Sequence, residues 1–146
     1  VYHIQYKLAK HKKARTQTMS SKVDRLLWFC FALDPEVSHY TQHSDLHQIA
    51  QDYCSRHDAA IQEEISARRP GRPKSKKQET LEFQRAREQG EYDGAGGFLM
   101  PNLMDRTSVL NLRHWSDKTE GDPSFLPRLN LIRIYSDKPE EIVVEQ

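Results

Sequence analysis

At 146 residues the chain suits one domain, and 36% hydrophobic side chains, against the ~45–50% apolar content of typical globular domains (a figure that counts glycine), leave it a small core. A formal net charge of +1 conceals a segregation: Lys7, Lys10, Lys12, Lys13, Arg15 and Lys22 occupy residues 1–23 without an acid, Arg68, Arg69, Arg72, Lys74, Lys76 and Lys77 occupy 68–77 without an acid, and the other 113 residues hold all 21 acids for a formal −11. Two basic segments on an acidic body point to a polyanion, most simply nucleic acid, and the longest apolar run, eight residues from Leu26 to Leu33, is far short of the ~20 a membrane span needs.

Residues 1–20 read as a basic N-terminal arm. The chain opens on Val1 rather than Met, so a preceding piece is expected to be missing, and no charged-then-apolar secretion signal is visible. From Ser20 or Ser21, good N-cap residues, KVDRLLWFCFAL predicts a helix over 21–33 that Asp34-Pro35 stops. Leu26, Leu27, Trp28, Phe29, Cys30 and Phe31 cover more than a full turn of it, so this helix must be covered on several sides.

Thr41 or Ser44 caps a second predicted helix, about 42–66, in which Leu46, Ile49, Ala50, Tyr53, Cys54, His57, Ile61 and Ile65 recur at helical spacing. Packed antiparallel on the first, it gives an αα-hairpin as the expected core. In ARRPGRPKSKK, Pro70, Gly71 and Pro73 exclude regular helix, and 68–77 reads as a basic loop inserted in a helical domain spanning 21–135. QETLEFQRAREQG predicts a weakly amphipathic third helix through Leu81, Phe83, Ala86 and Arg87, ending near Gly90. Residues 91–104 read as irregular; Thr107 or Ser108 caps a short helix VLNLRHW, a loop spans 117–127, RLNLIRIY reads as a short strand or extended segment, and 136–146 as an acidic tail. The fold class expected is mainly α, with Trp28, Phe31, Leu33, Leu46, Ile49, Tyr53, Ile61, Leu110 and Trp115 in the core.

Chemistry-bearing patterns are sparse. His39, His43 and His47 stand four apart, as zinc-holding histidines do on a helix, but no HExxH glutamate accompanies them and solvated histidines are the better reading. Cys30 and Cys54, far apart and outside any CxxC pair, fit a reduced intracellular compartment and sit at apolar helical positions. Gly94-Ala95-Gly96-Gly97 lacks the GK[ST] ending of a phosphate loop, and no GxSxG or kinase signature occurs. No enzyme, cofactor, metal or small-molecule substrate is therefore expected. RRPGRPKSKK holds the Gly-Arg-Pro core of minor-groove AT-hook peptides, with Pro70 in place of one arginine; it also suits a nuclear localisation signal or an arm clamped on RNA phosphates.

In order, RLLWFCFALDP, HYTQ, the basic loop, LEFQRAREQGEY, FLMPNLMDRTSVLNLRHWS and LPRLNLIRI resemble the translation machinery-associated protein 16 family from about Lys7 to Tyr135. The most specific matches are Trp28-Phe29 with Leu33-Asp34-Pro35, Tyr40, Pro101-Asn102-Leu103 with Trp115, and Leu126-Pro127 with Ile134. The YDGAGG stretch departs from the family's usual turn, and the family's lysine-rich N-terminal extension is mostly absent. The resemblance implies a ribosome biogenesis factor located in the nucleus (nucleolus and nucleoplasm), with precursor 60S particles, rRNA, ribosomal proteins and other assembly factors as partners and no catalytic residues. The twelve basic side chains named above are the expected RNA contacts, and an AT-hook-like DNA-associated nuclear protein is the alternative.

Overall fold

The structure, a computed structural model, describes Ile4 and residues 21–145. It is mainly helical, as expected, and adds a three-stranded antiparallel sheet. The chain runs α1 (Ser21–Ala32), α2 (His43–Cys54), α3 (Asp58–Ala67), α4 (Lys76–Asp93), β1 (Phe98–Pro101), α5 (Arg106–Thr119), a 3-10 turn (Pro123–Arg128), β2 (Leu131–Tyr135) and β3 (Lys138–Glu145).

Helix α1 is the centre of the fold because its apolar residues wrap around it. Val23, Leu26, Leu27, Trp28 and Phe29 are all buried, and the helix packs against α2, α5 and β1 together. Phe29 stacks on Tyr53 of α2 and meets Phe98 of β1 edge-on, while Trp28 meets Tyr53 edge-on. Ile4, inside the segment read as a basic arm, also packs against this core and lines a groove with Trp28 and Tyr40.

The single helix expected over 42–66 is two helices. Helix α2 stops at Cys54, and the Arg56 backbone N–H bonds back to the Tyr53 carbonyl at 3.2 Å, a tightened turn that the next helix leaves at Asp58. The break is held by the Arg56 side chain. Its guanidinium donates to the Tyr53 carbonyl at 2.8 Å, lies 3.8 Å from the Tyr53 ring centroid, and forms a two-pronged pair with Glu88 of α4 at 2.7 and 2.9 Å. Local periodicity carries no sign of that distant carboxylate.

Helix α4 runs three residues past the expected end, through Gly90 to Asp93. Its buried residues are Gln78, Glu88 and Tyr92, so the face turned to the protein is largely polar, and its weak amphipathicity follows. Helix α5 starts earlier than expected. Its cap is Asp105, whose carboxylate accepts from the Ser108 backbone N–H at 3.2 Å and hydroxyl at 2.9 Å. The buried stripe is Ser108, Val109, Leu112, Trp115 and Ser116. Leu110 falls on the opposite side and is 56% exposed, contrary to the core assignment, and Phe31 is only half-buried.

Residues 91–104, read as irregular, contain β1, and residues 136–146, read as an acidic tail, contain β3. Both are recruited by β2, the strand that the alternation of RLNLIRIY allowed for: Met100 faces Ile132 and Ile132 faces Val144, in the order β1-β2-β3. Four residues of β1 and a charged β3 carry too little pattern of their own to be read as strands. The turn into β1 needs a glycine. Gly97 has φ +81°, and a Cβ there would stand 2.8 Å from the Tyr135 ring and 3.0 Å from the Ile134 carbonyl.

The outer edge of β1 is closed by side chains. Arg25 of α1 and Glu91 of α4 pair at 2.6 and 2.9 Å; on the side of Leu99 turned away from β2, Arg25 donates to its carbonyl at 3.0 Å and Glu91 accepts its N–H at 3.0 Å. The pair occupies the hydrogen-bonding groups that an added strand would seek. Burial works against both charges; their mutual hydrogen bonds, with that from Leu99, outweigh it, holding Glu91 below its ordinary range and Arg25 above its own.

Candidate nucleic-acid interface

The second basic segment joins two helices that are tied to each other. Helices α3 and α4 pack side by side, tied by Arg85 to Asp58 at 2.9 Å at one end and by the Ser75 hydroxyl to Glu64 at 2.8 Å at the other. Ser75 also caps α4, accepting the Gln78 N–H at 3.0 Å, so Lys76 and Lys77 belong to the first helical turn rather than to a loop.

Between the helices, Arg69-Pro70-Gly71-Arg72 closes with an Arg72 N–H to Arg69 carbonyl bond of 3.1 Å. Proline second and a φ of +79° at Gly71 third are the requirements of a type II turn. Pro-Gly, which in sequence only broke the helix, fixes Arg69 and Arg72 at the two ends of that turn.

All six cations of 68–77 are exposed. Lys74 differs from the rest, because it pairs with Glu82 at 3.0 Å and, with Gln78, holds that carboxyl below its ordinary range. Arg68, Arg69, Arg72, Lys76 and Lys77 form no hydrogen bond or ion pair through their side chains among the described residues. Two of these, Lys76 and Lys77, stand at the N-terminus of α4, where the helix dipole opposes positive charge by ~0.3–1 kcal/mol each. The fold thus bears a small cost that a bound polyanion would relieve.

Below this tip lies a cleft of about 470 Å³ between the start of α1, the α2–α3 junction and α4. Ser21, Asp24 and Trp28 line one wall and Lys77, Leu81 and Arg87 the other. Lys22 is exposed in the first turn of α1, next in sequence to Ser21, which lines this cleft. Arg87 joins the candidate site by position alone; its single charge, outside either basic run, gave no signal in sequence. Lys7, Lys10, Lys12, Lys13 and Arg15 lie outside the described residues.

The other candidate groups have structural roles. His47 donates from Nε2 to the Pro139 carbonyl at 2.9 Å and accepts the Tyr92 hydroxyl at Nδ1 at 2.6 Å, fastening α2 to β3 and α4. His39 bonds Ser38 instead. Among the described residues no group of three or more His, Cys, Asp or Glu is placed to hold a metal ion. Burial, with the Glu88 charge nearby, pushes the Cys54 thiol up to about 11. The glycine cluster makes the turn into β1.

The family model of translation machinery-associated protein 16 matches residues 3–136. The chain belongs to that family. It is 35% identical over 101 residues to the protein of that name from Saccharomyces cerevisiae, covering 69% of this chain and 53% of the relative. To the Danio rerio protein of the same name it is 26% identical over 129 residues, covering 86% of this chain and 63% of the relative. The chain therefore spans between about half and somewhat under two thirds of these relatives' length. The family match takes in both basic segments and the α3–α4 tip, and ends before β3.

Proposed function

We propose that this chain is a non-enzymatic ribosome biogenesis factor that binds nuclear precursors of the large ribosomal subunit, contacting rRNA phosphates through the α3–α4 tip and the basic residues of the N-terminal segment. The observation that carries this reading is the set of five exposed, unpaired cations on a braced helical hairpin. Fixed charges of one sign, with no acid among residues 68–77, suit phosphates presented in a set arrangement. Membership of a family whose relatives are named for association with the translation machinery makes ribosomal RNA the natural polyanion. A poorly nucleophilic buried Cys54 and a His47 committed to two structural bonds support a role without catalysis.

The alternative, AT-hook-like reading fits less well. A minor-groove arm must run along its groove, whereas the Gly-Arg-Pro core here begins inside a closed turn.

Binding to RNA measured against salt tests the proposal. Five phosphate contacts contribute a slope of about −3.5 in log affinity against log salt, so raising salt from about 50 to about 200 mM weakens binding roughly 100-fold. Replacing Arg68, Arg69, Arg72, Lys76 and Lys77 by Ser should flatten the slope by that amount. In extracts, the tagged chain should sediment with ~60S precursors and leave them on RNase treatment; release from chromatin by DNase instead would favour the alternative.

A further inference from the structure

Helix α4 presents a second feature on the face it turns to solvent. Phe83 is 69% exposed, the most open large hydrophobic side chain among the described residues. On a 3.6-residue turn it shares that face with Lys76 two turns before it, Thr80 one turn before it and Arg87 one turn after it, all exposed. Lys76 and Arg87 have no side-chain hydrogen bond or ion pair among the described residues and lie ~16 Å apart along the helix axis. One acid, Glu79, stands on the same face. Phe83 therefore interleaves an aromatic ring with cations, an arrangement missing from both basic segments in sequence.

We propose that Phe83 is a stacking platform for an unpaired RNA base, with Lys76 and Arg87 taking phosphates on either side of it. The inference rests on RNA contact by the α3–α4 tip and adds to it a preference for single-stranded or bulged RNA over a continuous duplex. An exposed ring is neutral toward sequence, since every base offers a π-face, and in a duplex the bases are stacked on one another and closed to it. The charge around the ring favours RNA over an apolar protein surface. A partner burying Phe83 through hydrophobic contact would also desolvate Lys76 and Arg87, neither of which is ion-paired among the described residues and against which this face sets a single acid, Glu79.

The test uses the full chain, a single-stranded RNA carrying 2-aminopurine, and a blunt duplex of the same length. Phe83→Ala should weaken single-strand binding about 5- to 150-fold, the range for loss of one stacked base. It should also abolish the 2-aminopurine quench that the unmodified chain produces, leave duplex binding and the salt slope unchanged, and not lower the melting temperature; Phe83→Trp should restore affinity and quench. Equal loss on single strand and duplex, or unchanged single-strand affinity with the quench retained, overturns the stacking role while leaving phosphate binding in place. No binding of either RNA by the unmodified chain overturns both readings. Retained RNA binding by Phe83→Ala, combined with loss of sedimentation with precursor particles, assigns the ring to a protein contact instead and also overturns the proposal.

Discussion

Removing the Glu88 carboxylate should strike the fold at the junction of α2 and α3. Glu88 is 3% exposed and its two oxygens accept from Arg56 at 2.7 and 2.9 Å. The same guanidinium holds the Tyr53 carbonyl and lies on the Tyr53 ring, so it is fixed at the junction of α2 and α3 whether or not Glu88 is present. Glu88→Ala leaves a cation there with no counter-charge, a situation that costs ~3–5 kcal/mol. For a chain of this size that corresponds to a fall in Tm of roughly 10–15 °C. Replacing both partners, as Arg56→Met with Glu88→Leu, removes the stranded charge and should recover most of the loss, apart from ~0.5–1.5 kcal/mol for the side-chain hydrogen bond to the Tyr53 carbonyl, which keeps the residue 56 backbone N–H as a donor. Urea unfolding followed by circular dichroism at 222 nm gives all three values, and the double-mutant cycle gives the coupling. A loss under about 1 kcal/mol for Glu88→Ala, or a double variant no more stable than that single one, would refute the buried-charge argument.

The Arg25–Glu91 pair predicts an acid transition: because Glu91 is held below its ordinary value of 4.5, the stability it lends is complete above that pH and lost as pH falls through the lowered value. A Glu91→Gln chain should show a shallower stability decline below about pH 4.5 in matched urea titrations, and parallel curves would contradict the assignment. Gly97→Ala, with φ +81° and the Tyr135 ring 2.8 Å from the new methyl, should cost upwards of ~1 kcal/mol, whereas Gly90→Ala, inside α4 with nothing within 4 Å, should stabilise by ~0.5–1 kcal/mol; thermal melts decide both signs. With its thiol pushed up to about 11, Cys54 should resist iodoacetamide at pH 8 until the chain unfolds, which mass spectrometry of timed samples would read directly. Trp28→Ala should cost ~3–5 kcal/mol and the exposed Leu110→Ala well under 1 kcal/mol, a contrast that fails if Leu110 is buried in the folded chain.

Elements whose rules are local were legible in the sequence. Helix α1 follows from an apolar run stopped at Asp34-Pro35, and its observed span ends one residue short of the expected one. The Pro70-Gly71 interruption and the acid-free charge of 68–77 needed no partner to be recognised, because backbone sterics and charge density are properties of the segment itself. The resemblance carried by the Trp28-Phe29, Pro101-Asn102-Leu103 and Leu126-Pro127 segments led to the family that the comparisons show.

What depended on residues distant in sequence was not legible. The division of 42–66 into α2 and α3 is held by Glu88, 32 positions from the arginine it anchors. The strands β1 and β3 exist because β2 pairs with both, and a four-residue segment and a glutamate-rich one have no two-residue pattern strong enough to announce it. The buried face of α4 is polar because Arg56 and His47 supply partners for Glu88 and Tyr92, which inverts the usual expectation and turns Phe83, read as part of the apolar pattern, out to solvent. The sequence by itself determined where the charge lies and where the backbone cannot be helical. Which side chains that charge is shared with, and which face of α4 is left open, were decided only by tertiary packing, because hydrogen-bond satisfaction and burial are properties of pairs of segments.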